Sequence, residues 1–487
     1  MEKISVKGSV FVDESGRERI FNGVNLVFKG AYDEKTGETD YFAVNWDEDM
    51  IRSLSEMGIN LVRLGLVWRA IEPQPGKYNE EYLDMMEHYF DLCGKYGIYV
   101  YLDMHQDCYH GMPDWATVTD SYKRRKPKLI WAEGYFIDKA VHRAFDNFWA
   151  NTPVCGKGLQ DYFADMWKHV AKRFRKKKNL FGFDILNEPF PGTDGGKVFK
   201  KIISSGVKTI LSDKVDKPKA IKNIIKGDTA TEALAVIDDR EIFRSITSGG
   251  DLLIKNFDVD KYYPFLQKVA SAIREVTKNG IIIMEASYWS NISIPCSTPR
   301  LRYPDGTAEE NLAFAPHGYD LTVDTPMTNT ASNKRVDTIF DEHKKTQEKL
   351  GIPLIVGEWG GMVPGCEEYP HLEYLLEKFD HSYWSQTYWC YWKEMKDEKI
   401  MKIISRPLPF AVPGTINKYE FNRKNQTFKL KFTVENSTRK KVEIYSPKAP
   451  VEIISKGKST YEHFNDSDAV MIYVGACKGE NIIEIKI

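Results

Sequence analysis

The sequence predicts a (β/α)8 TIM barrel followed by a small C-terminal antiparallel β-sandwich. Two observations carry this. Eight short and mostly continuous apolar runs, the form of parallel strands buried on both faces, alternate with helical stretches between residues 19 and 392. Beyond residue 405 the apolar period becomes two, as in a half-buried antiparallel sheet.

In chain order, the strand candidates are 19–26, 59–66, 98–105, 180–188, 280–287, 313–319, 352–360 and 387–392. Between them, apolar residues recur at steps of three and four. Met50, Ile51, Leu54 and Met57 share one helical face, and Leu83, Met86, Phe90 and Cys93 share another, ahead of a C-terminal Gly97. Leu159, Phe163, Met166, Val170 and Phe174 form a third. In the last segment Phe428, Leu430, Phe432 and Val434 alternate with polar residues, and Ile483, Ile485 and Ile487 repeat the pattern. The expected division is a barrel over 1–404 and a sandwich over 405–487. An insertion at 191–255 follows strand four, with an apolar helical face of Ile202, Ile203, Val207, Ile210 and Leu211.

Composition narrows the function. With 68 basic and 69 acidic residues the formal charge is −1, which gives no field for nucleic acid or an anionic membrane. Neutral partners such as sugars suit this balance, and 11 Trp and 26 Tyr offer stacking faces. The seven cysteines are dispersed, without CxxC, and read as thiols rather than a disulfide framework. The first residues, "MEKISVKGSV", lack a signal-peptide core, so the expected location is cytoplasmic as written, or secreted if a signal was removed.

In such a barrel the chemistry sits where strands end. "GFDILNEPF" (182–190) places Asn187 and Glu188 there, and Pro189 biases Glu188 toward extended backbone. "IVGEWGG" places Glu358 at the end of strand seven. Two carboxylates facing across one site are what retaining glycoside cleavage needs, one as acid/base and one as nucleophile. Arg63, a cation among Leu and Val, is expected to pair with Glu358. "LDMHQD" brings Asp103, His105 and Asp107 to the end of strand three. A metal is one reading of Asp-x-His-x-Asp. Alternation puts the three at different depths and no further His joins them, so sugar hydroxyls are the expected partners, with no metal or other cofactor. His317 is either a core histidine or part of the site, and Tyr319 is placed to bond the nucleophile. Trp392 is a stacking floor for a sugar, although a strand-end Trp alone is more often core.

Asn187-Glu188, Glu358, Arg63, His105, His317/Tyr319 and Trp392 together resemble glycoside hydrolase family 5, of the retaining cellulase clan. "LDMHQDCYHG" (102–111), "RAFDNFWANT" (143–152) and "LNEPF" (186–190) resemble its endoglycoceramidase branch. The resemblance covers most of residues 15–412. It implies cleavage of the β-linkage between glycan and ceramide, with glycan contacts at Lys29, Asp103, His105, Asp107, Trp149, Asn187, Tyr319 and Trp392. Two departures bear on headgroup choice. Glu285, Ser287 and Tyr288 stand where a glutamine is expected after strand five, and Lys393-Glu394 follows Trp392. Galactosyl- or glucosylceramide-type headgroups fit these changes. The expected partner is a glycolipid, with transient contact with a micelle or membrane surface and no nucleic acid. The alternatives are an endo-β-glucanase or steryl-β-glucosidase on the same barrel, or an inactive glycolipid-binding protein.

Overall fold

The structure, a computed structural model, describes residues 1–119, 131–212, 234–325, 327–362, 369–464 and 467–487. Eight parallel strands form the central sheet: β1 (Asn22–Val27), β2 (Leu61–Leu66), β3 (Tyr99–Met104), β4 (Leu180–Asp184), β5 (Ile281–Met284), β6 (Leu312–Phe314), β7 (Ile355–Val356) and β8 (Ser385–Tyr388). Their order is β6-β5-β4-β3-β2-β1-β8-β7. The barrel closes between β6 and β7. A parallel bridge joins Phe314 to Leu354, and His317–Gly318 pairs in parallel with Glu358–Trp359.

Helices α1 (Glu48–Glu56), α2 (Glu80–Lys95), α3 (Lys139–Trp149), α4 (Leu159–Phe174), α5 (Thr193–Leu211), α6 (Arg240–Thr247), α7 (Tyr263–Arg274), α8 (Asn333–Leu350) and α9 (Tyr369–His381) surround or flank it. Asp47 and Asn79 accept from main-chain N–H groups in the first turns of α1 and α2, satisfying donors the helix itself leaves open. The apolar faces read from the sequence for α1, α2 and α4 are buried.

The barrel interior has two layers. At its base Leu61, Tyr99, Tyr101, Phe181, Ile281 and Ile283 pack together. Alternate residues of a strand share a face, so the next inward positions are Arg63 on β2, Asp103 on β3 and Glu285 just past β5. The same strands thus switch from an apolar floor to a charged ceiling within two residues.

Several strands stop short of their apolar runs, β5 at Met284 rather than 287 and β6 at Phe314 rather than 319, and two further differences bear on the site. β4 stops at Asp184 rather than 188, although Asn187 N–H still reaches Met104 O at 3.0 Å. Glu188 is not extended but left-handed, with φ 43°. β8 ends at Tyr388, so Trp392 lies beyond the strand, half-buried against the core.

The insertion provides α5 and α6. On α5, Val198 is buried and Ile202 half-buried. Ile203, Val207 and Leu211 are 52%, 54% and 68% exposed, so this stripe is not core. The Ile210 side chain and residues 213–233 lie outside the described residues.

The C-terminal unit comprises β9 (Leu408–Val412), β10 (Thr415–Asn422), β11 (Thr427–Val434), β12 (Lys441–Ser446), β13 (Glu452–Ile454), β14 (Ser459–His463), β15 (Val470–Gly475) and β16 (Gly479–Lys486). One sheet runs β10-β11-β16-β13. The other runs β9-β12-β15-β14 and is extended by the first residues of the chain. Strands Ile4–Lys7 and Val10–Asp13 form a hairpin, and Glu18–Arg19 pairs with Ala411–Val412. Counted with the barrel by sequence, these residues also plug its base, where Ile4 and Phe11 are buried.

Candidate active site

Arg63 organises the site. It is fully buried, a costly place for a charge unless every donor finds an acceptor. All five N–H groups of its guanidinium do. Nε donates to Asp184 (2.9 Å), Nη1 to Asn25 (3.1 Å) and Glu358 (2.7 Å), and Nη2 to Asn187 (2.9 Å) and Glu285 (2.6 Å). Asp103 Oδ1 lies 2.8 Å from Nη2. Four carboxylates around one cation leave surplus negative charge. Burial, and then the Glu285 carboxylate, push Asp184 well above the usual carboxylate range. Asp103, Asp184 and Glu285 lie close enough to resemble a metal cage, but the Arg63 guanidinium occupies that position.

Glu358 and Glu188 face each other, with an oxygen of each and a nitrogen of His317 within 4.8 Å of one another. Gly357 lets β7 approach, since a Cβ there would meet the His317 ring at 3.0 Å. Glu358 Oε1 accepts from Arg63, and Oε2 accepts from the Tyr319 hydroxyl at 2.9 Å. Glu188 Oε1 accepts from Asn291 Nδ2 at 2.6 Å and lies 3.1 Å from His317 Nδ1. Burial raises the Glu188 carboxyl above its ordinary value. His317 opposes this, while Glu358 and Asp107 reinforce it. Burial alone would lower His317, but the Glu285 and Glu358 carboxylates hold it well above its ordinary value, so it stays charged.

Beside the pair, the Lys29 ammonium donates to Asp107 and sits 4.7 Å from the centre of the Trp389 ring. Trp389 stacks on His105, centroids 5.2 Å apart. His105 is held between Asp103 (2.8 Å) and Asp107 (3.2 Å). Burial would lower its value, but these two carboxylates raise it to about 9. A cleft of about 260 Å³ is lined by Lys29, Asp107, Glu188, Tyr319, Glu358 and Trp389, and also by apolar Phe136, Ile292, Leu321 and Val323, with Asp320 and Asp324 beside the last two.

Of the residues singled out by sequence, Lys29, Asp107, Glu188, Tyr319 and Glu358 reach the cleft. Arg63, Asp103, His105, Asn187 and His317 lie behind it and hold those that do. Asp103 is fully buried under Arg63 and His105, so it supports the site instead of meeting a sugar. Trp149 is displaced from its expected role. Its indole N–H donates to Phe190 O at 2.7 Å and its rings pack on Phe257 and Phe265. Trp392 gives way to Trp389 as the strand-eight aromatic, because β8 ends four residues earlier than its apolar run. Sequence reasoning did not assign Trp389 or Asn291. Trp389 had a signal, the Trp-rich run itself. Asn291 sits in a short turn after β5 with no pattern to mark it.

Comparison with known proteins agrees with this geometry. The family model described as cellulase (glycosyl hydrolase family 5) matches residues 12–226 and 247–395. That of the glycoside hydrolase family 5 C-terminal domain matches 406–487. An endoglycoceramidase of Cyanea nozakii is 35% identical over 208 residues, which cover 37% of this chain and only 40% of that relative's length. Endoglycoceramidase I of Rhodococcus hoagii is 24% identical over 459 residues, covering 90% of this chain and 78% of the relative. The structure of endo-glycoceramidase II from Rhodococcus sp. in a ganglioside GM3 complex aligns with a TM-score of 0.71, at 22% identity over 99% of each chain. The matched barrel and the matched C-terminal domain together place this chain in glycosyl hydrolase family 5.

Proposed function

We propose that the chain is a retaining β-glycosidase that hydrolyses the linkage between glycan and ceramide in glycosphingolipids, with galactosyl- or glucosylceramide-type headgroups. The observation that carries this is a cleft whose lining combines the close carboxylate pair, Lys29, Asp107 and Trp389 with apolar Phe136, Ile292, Leu321 and Val323. Such a cleft suits a substrate that is part sugar and part lipid.

The chemistry follows from the pair. Glu358 attacks the anomeric carbon, and Glu188 gives its proton to the departing ceramide oxygen. The resulting α-glycosyl ester is then cleaved by water, whose proton returns to Glu188. Oxygens within 4.8 Å set the carboxylates closer than the roughly 6.5–9.5 Å of an inverting pair, which favours retention. The raised Glu188 carboxyl supplies the acid. The exposed Ile203, Val207 and Leu211 stripe on α5 supports transient contact with a micelle or membrane surface.

The test is an NMR time course with purified protein on glucosyl-, galactosyl-, lactosyl- and ganglioside-type ceramides, beside cello-oligosaccharides. We expect β-configured sugar to appear first, from a ceramide substrate. Initial α product would overturn the nucleophile assignment, and cleavage of cello-oligosaccharides alone would overturn the substrate class.

A further inference from the structure

Glu285 is a third glutamate in the site, outside the catalytic pair. It lies two residues beyond Ile283 on the inward row of β5 and is 1% exposed. Its Oε2 accepts the main-chain N–H of Glu188 at 2.7 Å. Its Oε1 accepts from Arg63 and lies 3.3 Å from His317 Nε2, while the other ring nitrogen of His317 lies 3.1 Å from the Glu188 carboxylate. Glu285 therefore grips Glu188 twice, once at the backbone and once through an imidazole at the side chain.

That grip answers a conformational need. Glu188 adopts φ 43° and precedes a proline. A non-glycine residue in this region carries strain of roughly 1–3 kcal/mol and persists only where surrounding contacts over-determine it. A buried hydrogen bond from its N–H to an ionised carboxylate is such a contact. Burial would raise Glu285, but His317 and Arg63 outweigh it and keep it ionised. The other titratable groups facing this trio are Asp103 of β3, Asp184 of β4 and Glu358 after β7, with His343 of α8 behind His317.

We infer that Glu285 is a positioning residue for the acid/base step, fixing the Glu188 carboxyl through its main chain and through His317. The inference rests on the reading of Glu188 as acid/base. Glu285→Gln keeps size and an acceptor but loses the charge facing His317. Glu285→Asp keeps the charge but is one methylene too short to reach the Glu188 N–H. Each is assayed on a nitrophenyl β-glycoside with and without azide, beside Glu188→Ala, with Tm recorded. Azide replaces water as the attacking nucleophile on the glycosyl-enzyme, needs no general base, and yields β-glycosyl azide.

We expect kcat to fall roughly 10- to 100-fold in both variants, with KM falling beside it as glycosyl-enzyme accumulates. Azide should restore turnover as it does for Glu188→Ala. A merely structural role would lower activity and Tm together, without azide rescue. Unchanged kcat, or loss that azide does not restore while Glu188→Ala is rescued, would overturn the inference. If Glu188→Ala is itself not rescued, the acid/base reading fails and this inference fails with it. Should the Gln variant not fold, the Asp variant, which retains the partner charge for Arg63, decides alone.

Discussion

Single residues here carry charge states that only their neighbours explain. His105 is the clearest. Its value of about 9 lies above the ordinary 6.5 because Asp103 and Asp107 flank it, Asp107 being depressed by Lys29 and by His105 itself. His105 and Asp107 describe one interaction from two sides, so it counts once. The sign follows from linkage. A histidine raised on folding contributes stability that is complete below pH 6.5 and is lost as pH rises through 9. Thermal unfolding from pH 6 to 9.5 should show Tm falling over that window, for a loss on the order of 1–3 kcal/mol. His105→Gln should be less stable at pH 6 and show a shallower slope, the raised His317 supplying the remainder. A wild-type Tm that is flat across the window would contradict the assignment.

At the scale of elements, the sequence revealed strand ends through misplaced charge, and failed where charge was not the signal. Arg63, Glu188 and Glu358 stood out because an ionisable group in an apolar run needs a partner. Glu285 obeys the same rule at the end of "IIIM", but with no family role to attach it was noticed only as a departure. The sequence points to Trp392 and leaves Trp389 unassigned because aromatic residues continue the apolar run past the point where β8 leaves the ladder. The family resemblance points to Trp149 as a glycan contact, but the packing of α3 against Phe257 and Phe265 turns it inward. Pro189 was given an extended predecessor, yet the N–H bond to Glu285 holds Glu188 left-handed instead.

The insertion was legible as a helix with an apolar face, but not as one left open to solvent. Exposure of Val207 and Leu211 makes a prediction. Serine at both positions should leave Tm and nitrophenyl-glycoside hydrolysis unchanged, since exposed substitutions stay near ±0.5 kcal/mol. Turnover of a glycolipid held in vesicles should fall roughly tenfold, because burying one such side chain is worth about 1.5–3 kcal/mol. Joint loss of both activities with Tm would show the stripe to be core after all, and no change in either would place lipid contact elsewhere.

Across the whole molecule, barrel and sandwich are tied at several buried points. Arg406 of the linker pairs with Asp380 of α9, and Tyr445 of β12 donates to Glu56 O at the end of α1. The N-terminal hairpin joins them again, extending the sandwich sheet while Ile4 and Phe11 close the barrel's base, away from the cleft. Removing residues 1–13 should lower stability by on the order of 3–6 kcal/mol, the burial of those two side chains. Turnover of a soluble glycoside at 20 °C should survive. An unchanged urea midpoint would show the plug to be dispensable.

The same hairpin sets a timetable for the nascent chain. The Arg19 guanidinium donates to Phe410 O across 391 residues of sequence. A ribosome adding about 5–20 residues per second would take roughly 20–80 s to supply that partner. For that interval the hairpin has its own two strands but no neighbouring sheet, and its Phe11 side has only an unfinished barrel to meet. A segment made long before residue 408 is thus among the last to find its place. Assembly of the barrel's floor waits on translation of the sandwich, so a chain stalled before residue 408 would leave an unpaired strand edge exposed.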